Sequence, residues 1–163
     1  MKHWLWPIAA FILVGAFGYG ARQAIGNIYN SGEAIMLLEA LGRSGLYLGS
    51  AGATSAATTL ALMLTLIGMV RRLDTDFDDD VYRNIGRIAK LATASLLTSL
   101  ALLLVLVFPV GEFDDIPTNW YPSLYEGLFA ITVLTVGLLA ATVTMLYRTL
   151  RNVIASITPG EDV

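Results

Sequence analysis

The chain has 163 residues, 56% of them hydrophobic and 14% charged, with a formal net charge of −3 and no cysteine. A soluble domain carries about a quarter charged residues, so the composition excludes an ordinary water-soluble globule. The missing cysteine excludes disulfides, thiol catalysis and thiolate metal sites, and without a basic patch interleaved with aromatics nucleic acid is not expected as a partner.

The apolar residues fall in four blocks, each close to the ~20 residues that cross a bilayer as a helix and apolar on every face rather than along one stripe. The expected fold is therefore all-α: a polytopic membrane bundle of four transmembrane helices in a single domain.

The first block runs from about Trp4 to Ala21 behind the positive start Met1, Lys2, His3. That is also the shape of a secretory signal peptide. Gly18 and Gly20 would make only a weak cleavage site, so the block is read as a retained helix, with cleavage the open alternative. Gly18-Tyr19-Gly20 matches the end of the potassium-filter pattern T-V-G-Y-G. It stands at the end of a span rather than on a re-entrant loop, so these glycines are read as packing or helix-end positions.

Between the first two blocks, Ser31 reads as an N-cap, Glu39 and Arg43 as an i,i+4 pair, and Gly42 as a stop. The apolar run between them is too short to span, which predicts a short interfacial helix after the first span.

The second block, about Leu46 to Val70, is the most informative. Gly45, Gly49, Ala53, Ala57 and Ala61 recur every four residues, with Gly52 and Ala56 widening the small face. Such a row lets another backbone approach closely, and close packing replaces the missing hydrophobic drive between helices in lipid. Beside it runs a hydroxyl stripe of Ser50, Thr54, Thr58 and Thr65. These oxygens suit the lining of a narrow wet path. The favoured reading is that each bonds a carbonyl one turn back or a neighbouring helix. Ser95, Ser99, Thr132, Thr135 and Thr142 in the later blocks admit the same two readings.

The connection 71–90 opens with Arg71 and Arg72 and then the acidic run Asp74 to Asp80. Asp74, Asp76 and Asp78 resemble the start of a calcium loop, but an EF-hand needs glycine at its sixth position and glutamate at its twelfth. Counted from Asp74 those places hold Asp79 and Ile85. The run is therefore read as N-capping and dipole compensation for the next helix, with a weak surface cation site as the lesser alternative. Arg83, Arg87 and Lys90 form a basic stripe suited to anionic lipid head groups, beside an apolar stripe of Val81, Ile85 and Ile88.

The third block covers about Leu91 to Val110 and the fourth about Gly127 to Tyr147, with helix expected onward to Ile157. Their connection carries Glu112, Asp114, Asp115 and Glu126 without a basic residue, and its Trp120, Tyr121 and Tyr125 suit a head-group layer. With both termini in the cytoplasm, eight basic residues lie inside and two, Arg22 and Arg43, outside. The positive-inside rule favours that arrangement, in the plasma (inner) membrane of a prokaryote.

Inside the four blocks there is no Asp, Glu, Lys, Arg or His, the groups that proton relays, voltage sensors and intramembrane proteases keep at depth. The expected function is therefore non-enzymatic: helix packing and assembly as a homo-oligomer or as a subunit of a membrane complex, among lipids and without a cofactor. The rival is a small oligomeric channel or facilitator with the second span lining the pore. A lipid-acting membrane enzyme has least support.

Overall fold

A computed structural model describes residues 5–26, 31–70, 79–107 and 120–157, and these form four helices. They are α1 (Leu5–Ile25), α2 (Ser31–Val70), α3 (Asp79–Val107) and α4 (Tyr121–Ile157). All four are long and apolar enough to cross a membrane. In lipid a spanning segment must satisfy its backbone polar groups internally, which the helix does without a partner.

At 1.5 Å per residue, the 21 residues of α1 measure about 31 Å, one bilayer core. The 40 residues of α2 reach about 60 Å and the 37 of α4 about 55 Å, so both continue well beyond a hydrocarbon layer. The segment 31–42, expected as a separate short helix, forms the first turns of α2 without a break. Gly42 keeps a right-handed backbone, because the one positive φ among the described residues is Gly26 at 78°. A helical glycine costs only about 1 kcal/mol, and buried Ala34 shows these turns packed on the protein rather than lying apart. Gly26 is the true stop. Its left-handed backbone caps α1, its amide donates to the Gln23 carbonyl at 3.2 Å, and Arg22 reaches over to its carbonyl at 2.6 Å.

α2, α3 and α4 pack against one another, with α2 lying chiefly on α3, and α1 docks on α4. The α2–α3 pair is antiparallel: Gly45, Gly49 and Gly52 successively face Leu106, Leu103 and Ser99. At the far end of that pair Met63, Ile85, Ile88 and Met145 form a buried cluster, joined by Leu66, Ile67, Leu91 and Leu146. α1 is antiparallel to α4 in the same way. Gly18 receives the Val133 side chain and Gly137 receives the Phe11 ring. Polar ties close both ends of this pair, Arg22 to Glu126 at 2.7 Å and the Arg148 guanidinium 5.7 Å above the Trp6 ring. From Glu126 to Arg148 the helix rises about 33 Å, close to the thickness of the hydrocarbon layer.

Gly18 is the tightest point of the α1 contact. A Cβ there would lie 2.7 and 2.8 Å from the two Val133 methyls. A helical valine is held to one rotamer, so rotation cannot clear the clash. Gly18→Ala should therefore loosen α1 by about 1–3 kcal/mol, and adding Val133→Ala should restore most of that loss. Denaturant titration in detergent, read by cross-linking of cysteine pairs across α1 and α4, measures the cycle.

Candidate functional site

α2 presents small residues on two faces. The inner face is Gly45, Gly49, Gly52 and Ala56, all buried. A side chain at Gly49 would meet Leu103 at 2.9 Å and the Ser99 carbonyl at 3.6 Å, and one at Gly52 the Ser99 Oγ at 2.6 Å. The absence of those side chains is what lets α3 lie so close. The row taken every four residues behaves differently along its length. Gly45 and Gly49 are buried, Ala53 is half-buried, and Ala57 and Ala61 face outward. Four residues turn a helix by about 400°, so such a row drifts about 40° per step. From 45 to 61 it passes from the inside of the bundle to the outside.

On that outer face stand Ser50, Thr54, Ala57, Thr58, Ala61 and Thr65, all exposed. The threonine hydroxyls donate to carbonyls four residues back: Thr54 to Ser50 at 2.9 Å, Thr58 to Thr54 at 2.8 Å and Thr65 to Ala61 at 3.0 Å. Their protons are thus satisfied within α2, while their oxygens keep lone pairs outward. The other helices turn bulky side chains outward, including Leu13 and Phe17 on α1, Leu97 and Leu104 on α3, and Val143 and Leu150 on α4. Along α2 the large exposed apolar residues stop at Tyr47 and resume at Leu62. The interval between them is about 21 Å of small, outward-facing helix.

Four hydroxyls of α3 and α4 point the other way. Ser95, Ser99, Thr135 and Thr142 are buried, with Ser95 Oγ 3.4 Å from Thr142 Oγ1. Ser95, Thr135 and Thr142 also donate to carbonyls one turn back, at 2.9, 2.8 and 2.7 Å. Thr132 does the same to Leu128 at 2.7 Å from a half-buried position. Among the described residues Ser99 Oγ is the buried side-chain atom without a hydrogen-bond partner, held in the space that Gly52 leaves.

Basic residues gather at one end of the bundle. Arg83 and Lys90 are exposed on α3, Arg87 is half-buried with its guanidinium donating to Asn84 Oδ1 at 3.3 Å, and Arg148 and Arg151 lie near the end of α4. At the opposite end each arginine stands beside a glutamate, Arg22 with Glu126 and Arg43 with Glu39 at 3.9 Å. Trp120 is exposed there, whereas Tyr121 and Tyr125 turn inward, Tyr125 stacking on Phe129 with ring centroids 6.0 Å apart. The candidate cation residues Asp74, Asp76 and Asp78 lie outside the described residues, as do Glu112, Asp114 and Asp115. Among the described residues no group of three His, Cys, Asp or Glu gathers to hold a metal.

No family model, curated protein or solved structure matches the chain. Sequence reasoning missed the docking of α1, which rests on Gly18 and Gly137 and on the pair Arg22–Glu126. Gly137, in the interior of the fourth apolar block, was the visible signal, since an isolated glycine in a helix pattern points to a packing reason.

The two kinds of hydroxyl respond oppositely to deletion. Ser99→Ala removes an unsatisfied buried group and should raise stability by about 1 kcal/mol. Thr142→Val removes bonded hydroxyl contacts and should lower it by about 0.6 kcal/mol. Unfolding midpoints in mixed micelles distinguish the signs.

Proposed function

We propose that this protein is a non-enzymatic membrane protein that works by assembly, with the outer face of α2 as its contact with a second copy. The observation that carries this reading is the asymmetry of outward faces. Leu13 and Phe17 on α1, Leu97 and Leu104 on α3 and Val143 and Leu150 on α4 turn bulky side chains outward at span depth, whereas Ser50, Thr54, Ala57 and Ala61 leave the α2 backbone nearly bare over about 21 Å. Helices in lipid associate through van der Waals contact and close backbone approach, which small residues allow. The inner face of the same helix, with Gly45, Gly49 and Gly52, already uses that principle against α3. A second α2, antiparallel or parallel, fits the outer face by the same physics.

The assembly sits in the plasma membrane of a prokaryote with both termini in the cytoplasm. The clustering of Arg83, Arg87, Lys90, Arg148 and Arg151 at one end supports that orientation under the positive-inside rule. Arg83, Arg87 and Lys90 then face the anionic head groups of the inner leaflet. The natural absence of cysteine makes the topology easy to test. An impermeant maleimide added to intact cells should label Trp120→Cys and not Arg151→Cys; the reverse pattern would invert the orientation.

The outward hydroxyl oxygens of Thr54, Thr58 and Thr65 favour a second reading, in which several copies close around α2 and line a path for ions or small polar solutes. Ala57→Leu and Ala61→Leu separate assembly from folding, because both residues are exposed and the bundle itself does not use them. Each should weaken self-association by about tenfold or more, ~1.4 kcal/mol, while helix content and monomer stability hold. Unchanged association in a dilution series read by energy transfer would sink the assembly reading. Ion flux through pure reconstituted protein, altered by Thr54→Leu or Thr58→Leu with assembly intact, would favour the pore.

A further inference from the structure

A groove of about 620 Å³ runs between α1 and α4, lined by residues of those two helices. Its length is apolar, lined by Phe11, Gly15, Ala130, Val133 and Leu134. Its end is polar, with Tyr19, Arg22, Gln23 and Glu126. The concavity comes from the sequence. Gly15 has no side chain, and a Cβ added there would meet nothing within 4 Å, so the space above it is open. Gly18 one turn on is filled by Val133, which closes the floor.

The dimensions fit one leaflet. From Phe11 to Arg22 the helix rises about 16 Å, half of the ~30 Å hydrocarbon core. The polar end therefore meets the head-group layer when the apolar end lies near the midplane. An occupant must be amphiphilic, with a flexible apolar chain of about one leaflet in length.

The polar end selects the head group. Arg22 donates to the Gly26 carbonyl at 2.6 Å and to Glu126 Oε1 at 2.7 Å. A guanidinium carries five N–H donors, so the fork has capacity for a phosphate oxygen besides these two bonds. Glu126 is more than half exposed, with 58% of its side chain accessible, and a carboxylate has about four acceptor positions. Gln23 donates to the Tyr19 hydroxyl at 2.8 Å and completes the polar rim. The two charges sum to zero. A purely anionic head would meet the Glu126 carboxylate as well as Arg22, and a quaternary ammonium has no N–H to donate. A head group with a phosphate and a primary ammonium engages both charges, the phosphate on Arg22 and the ammonium on Glu126.

We propose that this groove is a lipid site that holds one acyl chain of a phosphoethanolamine glycerophospholipid, with Arg22 and Glu126 reading its zwitterionic head. The site depends on the protein's being embedded in a membrane and not on self-assembly through α2.

Native mass spectrometry of the full chain, released from detergent with an equimolar mixture of phosphatidylethanolamine, phosphatidylcholine and phosphatidylglycerol of the same acyl chains, tests it. The wild type should retain phosphatidylethanolamine over each competitor by roughly three- to tenfold, the range of one charge-assisted hydrogen bond at an interface. Glu126→Gln, which keeps the shape of the side chain, should erase the preference over phosphatidylcholine. Gly15→Leu, whose new side chain enters open space, should abolish retention of all three at this site without loss of helix content. Equal retention of the three lipids, preference for phosphatidylglycerol, or retention unchanged by Gly15→Leu would each overturn the proposal. So would a Gly15→Leu variant that loses a protein contact rather than a lipid, seen as a change in oligomer mass.

Discussion

Close approach of helix backbones is the constraint on which this protein depends. In water two apolar helices are driven together by burial of surface, but lipid tails are as apolar as leucine and supply no such drive between helices. What remains is contact density, and contact density requires that side chains be absent where helices cross. Gly49 and Gly52 let α3 reach the backbone of α2, and Gly18 and Gly137 let α4 and α1 interlock with Val133 and Phe11. Remove those spaces and the four helices become independent rods, each satisfied in its own hydrogen bonds.

The same constraint organises the polar groups. Hydroxyls in the spans bond first to their own helix, as Thr135 does to the Ile131 carbonyl at 2.8 Å and Thr58 to that of Thr54 at 2.8 Å. They cost little at depth and free the tertiary contacts to be made by shape. Charges are kept to the ends, where Arg22 meets Glu126 and Arg148 covers Trp6. Exposed ion pairs contribute up to about 1 kcal/mol, so these ties set the register of α1 on α4 more than they hold it there. The lone hydroxyl of Ser99 shows the limit of this economy, since the room made by Gly52 holds an oxygen with nothing to bond.

The two faces of α2 join the fold to the proposed function. One small face is consumed in building the bundle, and the other is left for a neighbour. A continuous helix of 40 residues, about 60 Å long, gives room for both. The α1–α4 pair leaves a groove over Gly15, the space proposed above for a lipid chain.

Helix type and the presence of four helices long and apolar enough to cross a membrane were legible in the residues, because a 20-residue apolar run is a local property. Small residues on α2 were legible too, as was the back-bonding of its threonines, which needs only the carbonyl one turn away. What tertiary structure decided was direction. A row taken every four residues drifts around the helix, so Gly45 and Gly49 turn to α3 while Ala57 and Ala61 turn outward, and no count along the chain says where that change falls. Gly42 was read as a stop because glycine often ends helices, yet a helical glycine costs only about 1 kcal/mol and α2 runs on through it, with Ala34 buried on the preceding turns. The groove beside Gly15 and the pair Arg22–Glu126 join residues about a hundred positions apart, and their meeting follows from which helix α1 docks against. That choice depends on complementary shape between distant surfaces, which the order of residues in either helix alone does not contain.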